Sequence, residues 1–146
     1  MDKLDRLLLG ALNTDGRQSY RELARGLKIS LTTVTNRLQR LREEGVLTGF
    51  APVLDPRKIG YDLSAVVAIR ISRGRLLQVQ RRIAADKRVF GVYDVTGDWD
   101  SLILARFKDR AELDRFVKRL AALESVERTN TSVILNVMKE EPRVPV

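Results

Sequence analysis

The chain has 146 residues, of which 44% are hydrophobic and 32% charged, a composition that favours a folded core and argues against a disordered chain or a membrane protein. It contains no cysteine and no histidine, which excludes disulfides, thiolate metal sites, a cysteine nucleophile and the Ser-His-Asp triad, and leaves an enzyme only lysine or carboxylate chemistry. The net charge of +8 favours association with a polyanion, chiefly nucleic acid.

The first two helices are predicted from apolar spacing and capping residues. Apolar side chains recur at helical intervals through Asp2–Leu12, and the turn residues at 13–16 end this helix. Ser19 stands three residues before Glu22, which is the spacing of a capping box at a helix start. We therefore predict a second, short helix that ends near Leu27.

The third helix is predicted to follow Ser30, a candidate N-cap, and to end at Gly45. Its apolar residues repeat at helical spacing on one face, and polar residues occupy the opposite face. A short helix joined to a longer one by about four residues is typical of a helix-turn-helix, whose second helix enters the major groove of DNA. The first part of the chain is therefore predicted to bind DNA.

The domain boundary is predicted to follow this motif. Val46–Leu54 looks like an extended strand, and the next six residues mix turn formers with charges. The last residues include two prolines and are expected to be frayed. The predicted parts are a helix-turn-helix domain at 1–50, a strand and linker at 51–62, a second domain at 63–139 and a tail at 140–146.

The second domain alternates between strand and helix patterns in the order βαββαβ, which is ferredoxin-like. The predicted fold is therefore α+β, with an N-terminal helix-turn-helix (winged-helix-like) domain followed by a ferredoxin-like βαββαβ domain. The predicted elements are a strand at 65–72, a helix with Leu76 to Ala84 on it, strands at 89–96 and 101–107, a helix with Leu113 to Leu120 on it, and a strand at 126–138.

Two groups of residues carry a resemblance to a known family. Those in the first half are Leu4-Asp5-Arg6, Asn13 to Arg17, Glu22-Leu23-Ala24, Ser30, Asn36-Arg37-Leu38, Arg40-Leu41, Gly45 and Gly49. The marker in the second half is the turn Val95-Thr96-Gly97-Asp98-Trp99-Asp100. Over almost its whole length, the chain resembles the Lrp/AsnC transcriptional regulators, also called feast/famine regulatory proteins.

The resemblance implies a DNA-binding regulator that forms dimers, often joined into tetramers or octamers, with effectors bound between sensing domains near the turn. A dimer also suits DNA recognition, since one helix-turn-helix covers only about one half-site. The family usually has glycine in the turn between the two helices of the motif, where this chain has Lys28. A left-handed backbone at lysine costs roughly 1 kcal/mol, so we expect another backbone shape there.

The predicted DNA contacts lie on the polar face of the third helix. Thr32, Thr33 and Asn36 are candidates for contacts with base edges. Ser30 is an N-cap whose amide region could also receive a phosphate. Arg37 and Arg40 suit phosphates or guanine. A solvated helix face is the ordinary alternative for such a stripe.

The predicted effector site is the turn formed by Gly97, Asp98, Trp99 and Asp100. The two carboxylates could hold an ammonium group and the backbone amides of the turn could receive a carboxylate, which together suit a free amino acid. The simpler alternatives are a hairpin turn for Gly97-Asp98 and a packing anchor for Trp99.

Other functions remain open at this point. Siroheme decarboxylases resemble the same two-domain family, but their expected histidines have no counterpart here; a sequence-neutral chromatin architect is a further alternative. We expect no enzyme activity, catalytic residue, cofactor or metal.

No apolar run approaches the roughly 18 residues that span a bilayer, and residues 1–6 lack a signal-peptide pattern, so we expect a cytoplasmic protein without a membrane partner. We assign no role in DNA binding to the basic residues Arg81, Arg82, Lys87 and Arg88.

Overall fold

A computed structural model describes residues 1–146. The chain divides into two compact units. The first unit comprises residues 1–53 together with 139–146, and the second comprises residues 54–138. Each unit has a hydrophobic core of its own.

The first unit contains three helices, α1 (Lys3–Thr14), α2 (Tyr20–Leu27) and α3 (Leu31–Glu43). Capping boxes start both α1 and α2, because Asp2 pairs with Asp5 and Ser19 with Glu22 through reciprocal side-chain and backbone hydrogen bonds. The predicted helix starts are therefore confirmed, although α1 runs two residues beyond the predicted end at Leu12.

The core of the first unit joins one stripe from each helix. Leu8 from α1, Leu23 from α2, and Leu38 with Leu41 from α3 are all at most 1% exposed. Since these residues recur at helical spacing, each helix turns its apolar side inwards and leaves its polar side to the solvent. The helix-turn-helix prediction is confirmed.

Both α2 and α3 end in a Schellman motif, in which a left-handed residue lets two amides bond back to the last turn. At the end of α3 this residue is Gly45, with φ +70°; the amide of Val46 bonds to Leu41. At the end of α2 it is Lys28, with φ 54° and ψ 46°, and the amide of Ile29 bonds to Ala24. The prediction of another backbone shape at Lys28 is therefore wrong: the two bonded amides hold lysine in the left-handed region.

The second unit is a four-stranded antiparallel sheet with two helices. Its strands lie in the order β2-β3-β1-β4, which confirms the ferredoxin-like prediction. One face of the sheet packs against α4 and α5 around Phe107 and Phe116. The elements are a short 3-10 helix (Arg57–Ile59), β1 (Leu63–Ile71), α4 (Leu76–Ala84), β2 (Val89–Asp94), β3 (Ser101–Phe107), α5 (Arg110–Ala121) and β4 (Val126–Ile134).

Two strands are shorter than predicted because their partners end. β2 stops at Asp94, which pairs with Ser101, the first residue of β3. β4 stops at Ile134, which pairs with Ser64 near the start of β1. Residues 95–96 and 136–138 therefore have no strand opposite them in the chain, although their composition favours extended structure.

Residues 46–54, predicted to be a strand, and the tail at 140–146, predicted to be frayed, differ from these predictions. Residues 46–54 form no strand with any other part of the chain, and four of their apolar side chains are exposed: Val46, Phe50, Val53 and Leu54. The tail is not frayed: Asn13 donates to the Val144 carbonyl at 2.8 Å, and Arg143 donates to the Asn13 carbonyl at 3.1 Å.

Candidate DNA interface and effector turn

The polar face of α3 presents two side chains that are free to bind a partner. Val34, on the opposite face, is fully buried, whereas Thr32 and Asn36 are exposed and make no hydrogen bond within the chain. Both lie in the first half of α3, and the N-terminal residues of a recognition helix approach base edges. Their hydroxyl and amide groups can both donate and accept hydrogen bonds.

Ser30 and Thr33 form the start of α3. The Ser30 hydroxyl accepts a hydrogen bond from the Thr33 amide at 3.0 Å, and the two hydroxyls lie 2.7 Å apart. The N-cap assignment of Ser30 is therefore confirmed. Of the predicted contacts, Thr33 has part of its hydrogen-bonding capacity already used inside the chain.

The two predicted arginines of α3 are paired with carboxylates of α1. Arg37 donates from one nitrogen to Asp2 at 2.6 Å and to Asp5 at 2.8 Å. Arg40 donates to the other Asp5 oxygen at 2.6 Å and lies 3.6 Å from Glu44. The structure thus gives both guanidinium groups a role inside the first unit, and their contact with DNA stays a prediction.

Asp5 is the centre of this cluster and is fully buried. Burial by itself would raise its pKa, but the Asp2 amide, Arg37 and Arg40 outweigh that effect and lower the pKa. The hydrogen bond from Arg37 is the main reason that the pKa of Asp2 falls to about 2. Both carboxylates are therefore ionised at neutral pH. The aspartates were not predicted as partners of α3; a charged residue on the apolar side of α1 is the signal that could have revealed Asp5.

The predicted effector turn joins β2 to β3 and uses its two carboxylates differently. Gly97 has φ +108°, a left-handed backbone that suits glycine. The Asp100 carboxylate accepts a hydrogen bond from the Ile71 amide at 2.7 Å and so closes the end of β1. The Asp98 carboxylate is exposed and makes no hydrogen bond in the chain. Asp98 is therefore the carboxylate available to a cation.

Two arginines lie beside this turn on neighbouring strands. Arg70 of β1 is paired directly with Arg128 of β4, although like charges opposite one another are unfavourable. Arg70 donates to the Asp98 carbonyl at 2.5 Å, and Arg128 lies over the Trp99 ring at 4.6 Å. These arginines were missed, although Arg70 interrupts the apolar run of β1. The region combines two cations with one free carboxylate.

The face of the sheet opposite the helices carries apolar side chains as well. Side chains alternate along a strand, and the core members of β1 and β3 point towards the helices. Val66, Leu102 and Leu104 therefore point to the other face and are only half-buried. On the adjoining β2, Phe90 is 39% exposed and Tyr93 52% exposed.

The structure contains no cluster of three or more acidic residues arranged to hold a metal ion. It also has no helix with the length and apolar character needed to cross a bilayer.

Comparison with known proteins matches both units. Residues 1–48 match the winged helix-turn-helix DNA-binding family, and residues 64–144 match the Lrp/AsnC ligand binding domain. An uncharacterized HTH-type transcriptional regulator of Pyrococcus abyssi is 44% identical over 144 residues, which cover 99% of this chain and 98% of the relative.

Solved structures match the chain over almost its whole length. An AsnC family transcriptional regulator from Agrobacterium tumefaciens is 28% identical with a TM-score of 0.89, covering 99% of this chain and 97% of that one. A transcriptional regulator from Neisseria meningitidis, solved as a complex with L-Met, is 24% identical with a TM-score of 0.89, covering 99% of this chain and 96% of that one. The chain is a transcriptional regulator with a DNA-binding helix-turn-helix, and it belongs to the Lrp/AsnC family.

Proposed function

We propose that this regulator binds specific DNA sequences through α3 and that a small effector, an amino acid, alters its assembly or its DNA binding. The observation that carries the DNA part is the free, exposed pair Thr32 and Asn36 on the face of α3 opposite its buried stripe. Asparagine suits adenine, since its amide can donate and accept at once. Ser30 and Thr33 are proposed to meet DNA at the start of the same helix, where unpaired amides favour phosphate.

The regulator is proposed to work as a dimer or a larger homo-oligomer. A single reading helix covers about one half-site, so a two-fold dimer fits a palindromic operator. Two surfaces support self-association: the half-buried apolar face of the sheet, and residues 46–54, whose apolar side chains are exposed and whose backbone has no partner strand in the chain. Pairing of residues 46–54 with the same segment of a second subunit would bury these apolar side chains and give the backbone a partner strand.

The effector is proposed to bind at Gly97–Asp100. Asp98 offers a free carboxylate for an ammonium group, and Arg70 and Arg128 offer positive charge for a carboxylate. An α-amino acid carries both groups. The L-Met complex of the Neisseria meningitidis relative supports this ligand class. An effector that prefers one assembly changes how well successive reading helices fit adjacent grooves, which is a shift of population between assemblies.

Selection of bound genomic fragments by the full chain, repeated with a panel of amino acids, tests the whole proposal. A shared sequence with two-fold symmetry among the selected fragments is the expected result. Specific sites typically bind about 10³ to 10⁷ times more tightly than random DNA. If random DNA competes equally with the selected fragments, the protein is a sequence-neutral chromatin architect.

The base-reading role of α3 predicts that Asn36→Ala weakens operator binding by about one to two powers of ten, the worth of a good base contact. Binding to random DNA should change little. Asn136→Ala is the matched control, because Asn136 is also exposed but lies after β4 in the second unit. Equal operator affinity of the Asn36 and Asn136 variants would contradict the proposed contact.

The effector site predicts that Asp98→Ala abolishes the response of assembly or DNA binding to an amino acid while the fold stays intact. Sedimentation with and without the effector measures the assembly. Glu124→Ala, which removes an exposed carboxylate elsewhere in the second unit, should leave the response unchanged. Persistence of the response in the Asp98 variant would place the effector elsewhere.

We propose that the chain has no enzyme activity. A siroheme decarboxylase would need a substitute for the histidines that its family is expected to use, and the chain contains none. Release of a carboxylate from added siroheme, followed with the pigment's absorbance, would reverse this assignment.

A further inference from the structure

The formal charge of the molecule is divided between its two units roughly in proportion to their size. The first unit, which carries α3, has 11 basic and 8 acidic residues, a formal charge of +3. The second unit has 16 basic and 11 acidic residues, a formal charge of +5. Non-specific DNA affinity arises almost entirely from cations that neutralise phosphates. The unit with the reading helix thus carries no excess of positive charge over the rest of the chain.

The cluster of Asp2, Asp5, Arg37 and Arg40 is one reason that the first unit carries no such excess. Arg37 and Arg40 face two ionised carboxylates, Asp2 and Asp5, at 2.6 to 2.8 Å. The formal charge of these four groups sums to zero. Their positive charge is therefore largely cancelled before any phosphate approaches.

Movement of Arg37 or Arg40 to a DNA phosphate would also lower the stability of the first unit. Asp5 is fully buried and is held by both guanidinium groups. Withdrawal of one arginine would leave this buried carboxylate with a single guanidinium partner and less compensation for its charge, which costs stability. The buried carboxylate therefore keeps both arginines in place.

We propose that Asp2 and Asp5 act as built-in counter-charges that withhold Arg37 and Arg40 from DNA phosphates, and thereby lower the affinity of the reading unit for random DNA. This proposal replaces the phosphate contact that the sequence predicts for the two arginines. This inference rests on the proposed function, because it takes α3 as the DNA-reading helix. Discrimination then comes from neutral side chains such as Thr32 and Asn36, whose contacts depend on the sequence. The two aspartates are specificity-determining residues that do not themselves touch DNA.

Asp2→Asn is the most informative variant. Asparagine is as good an N-cap as aspartate, so the bond from the Asp5 amide to the Asp2 side chain, 2.9 Å long, can persist while one charge is lost. The variant weakens the hold on Arg37 and leaves the buried Asp5 in place. Asp15→Asn is the matched control, because Asp15 lies in the same unit, is exposed, and its side chain accepts a hydrogen bond only from the Arg17 amide.

The measurement is the affinity of the full chain for a random-sequence duplex over a range of salt concentrations. We expect Asp2→Asn to bind roughly fivefold to tenfold more tightly at about 0.1 M salt and to steepen the slope of log K against log salt by about 0.9, as one additional phosphate contact would. Asp15→Asn should keep the slope of the natural chain. Asp5→Asn should exceed the effect of Asp2→Asn if circular dichroism shows that it remains folded.

Two outcomes overturn the proposal. Identical slopes for the Asp2 and Asp15 variants would mean that the cluster only fastens α1 to α3. Weaker binding of the Asp2 variant to both random and operator DNA would mean that the carboxylates prepare the arginines for phosphate. The proposed function fails separately, if the natural chain does not distinguish operator from random DNA.

Discussion

Replacement of Lys28 by glycine should stabilise the first unit. Lys28 occupies the left-handed position of the Schellman motif after α2, where a residue with a Cβ costs about 1–2 kcal/mol. Glycine removes that cost but makes the unfolded chain more flexible, which opposes folding by about 0.4–1 kcal/mol. The Lys28 side chain is exposed and makes no hydrogen bond or ion pair that would be lost. The expected net gain is about 0.5–1 kcal/mol.

The end of α3 provides the reverse experiment within the same unit. Gly45 holds the equivalent position with φ +70°, and a Cβ added there would meet no atom within 4 Å. Gly45→Ala should therefore lose about 0.5–1 kcal/mol for conformational reasons alone. Lys28→Ala, which removes the long side chain but keeps the Cβ, should gain nothing.

Urea unfolding followed by circular dichroism at 222 nm measures these changes, because a shift of the midpoint without a change in slope reports stability alone. The order of stability expected is Lys28→Gly above the natural chain, Lys28→Ala equal to it and Gly45→Ala below it. Equal stability of the two Lys28 variants would refute the reasoning, since the backbone conformation would then carry no cost.

Two further predictions concern carboxylates. The pKa of Asp2 is lowered from 3.8 to about 2, chiefly by the Arg37 hydrogen bond, so the stability it contributes is present above about pH 4 and is lost as the pH falls towards 2. The pKa of Asp5 is lowered as well, for the reasons given above. Lowering the pH over this interval should therefore reduce the urea midpoint of unfolding, and the decrease should be less steep for Asp2→Asn than for the natural chain. If the midpoints of the two proteins fall equally with pH, the carboxylate–arginine cluster is not the cause. Asp100→Ala should lower the free energy of unfolding by about 1–3 kcal/mol, because the Ile71 amide loses its acceptor, whereas Asp98→Ala should leave it unchanged. Equal stability of the Asp98 and Asp100 variants in urea would contradict this division of roles.

The regular elements could be predicted from the sequence because local signals and packing agree. Ser19 and Glu22 have the spacing of a capping box, and the structure contains one. Strand ends were less predictable because they depend on distant partners: nothing near Ile134 shows that β1 begins at Leu63. Local patterns report backbone preference, whereas pairing is decided elsewhere in the chain.

The same limit applies to the candidate sites. The polar face of α3 follows from helical spacing, so the exposure of Thr32 and Asn36 was predictable. The partners of Arg37 and Arg40 were not, because Asp2 and Asp5 lie more than 30 residues away in sequence. Similarly, Asp98 and Asp100 look equivalent along the chain, and only the neighbouring Ile71 amide distinguishes them.

The return of residues 139–146 to the first unit affects how that unit can be isolated. A fragment ending at residue 53 would lack Arg143 and Val144, which hydrogen-bond to Asn13 at the end of α1. The DNA-reading unit is therefore discontinuous in sequence, and no single cleavage releases it whole. An engineered linker from Val53 to Lys139 would be needed to produce it as one polypeptide.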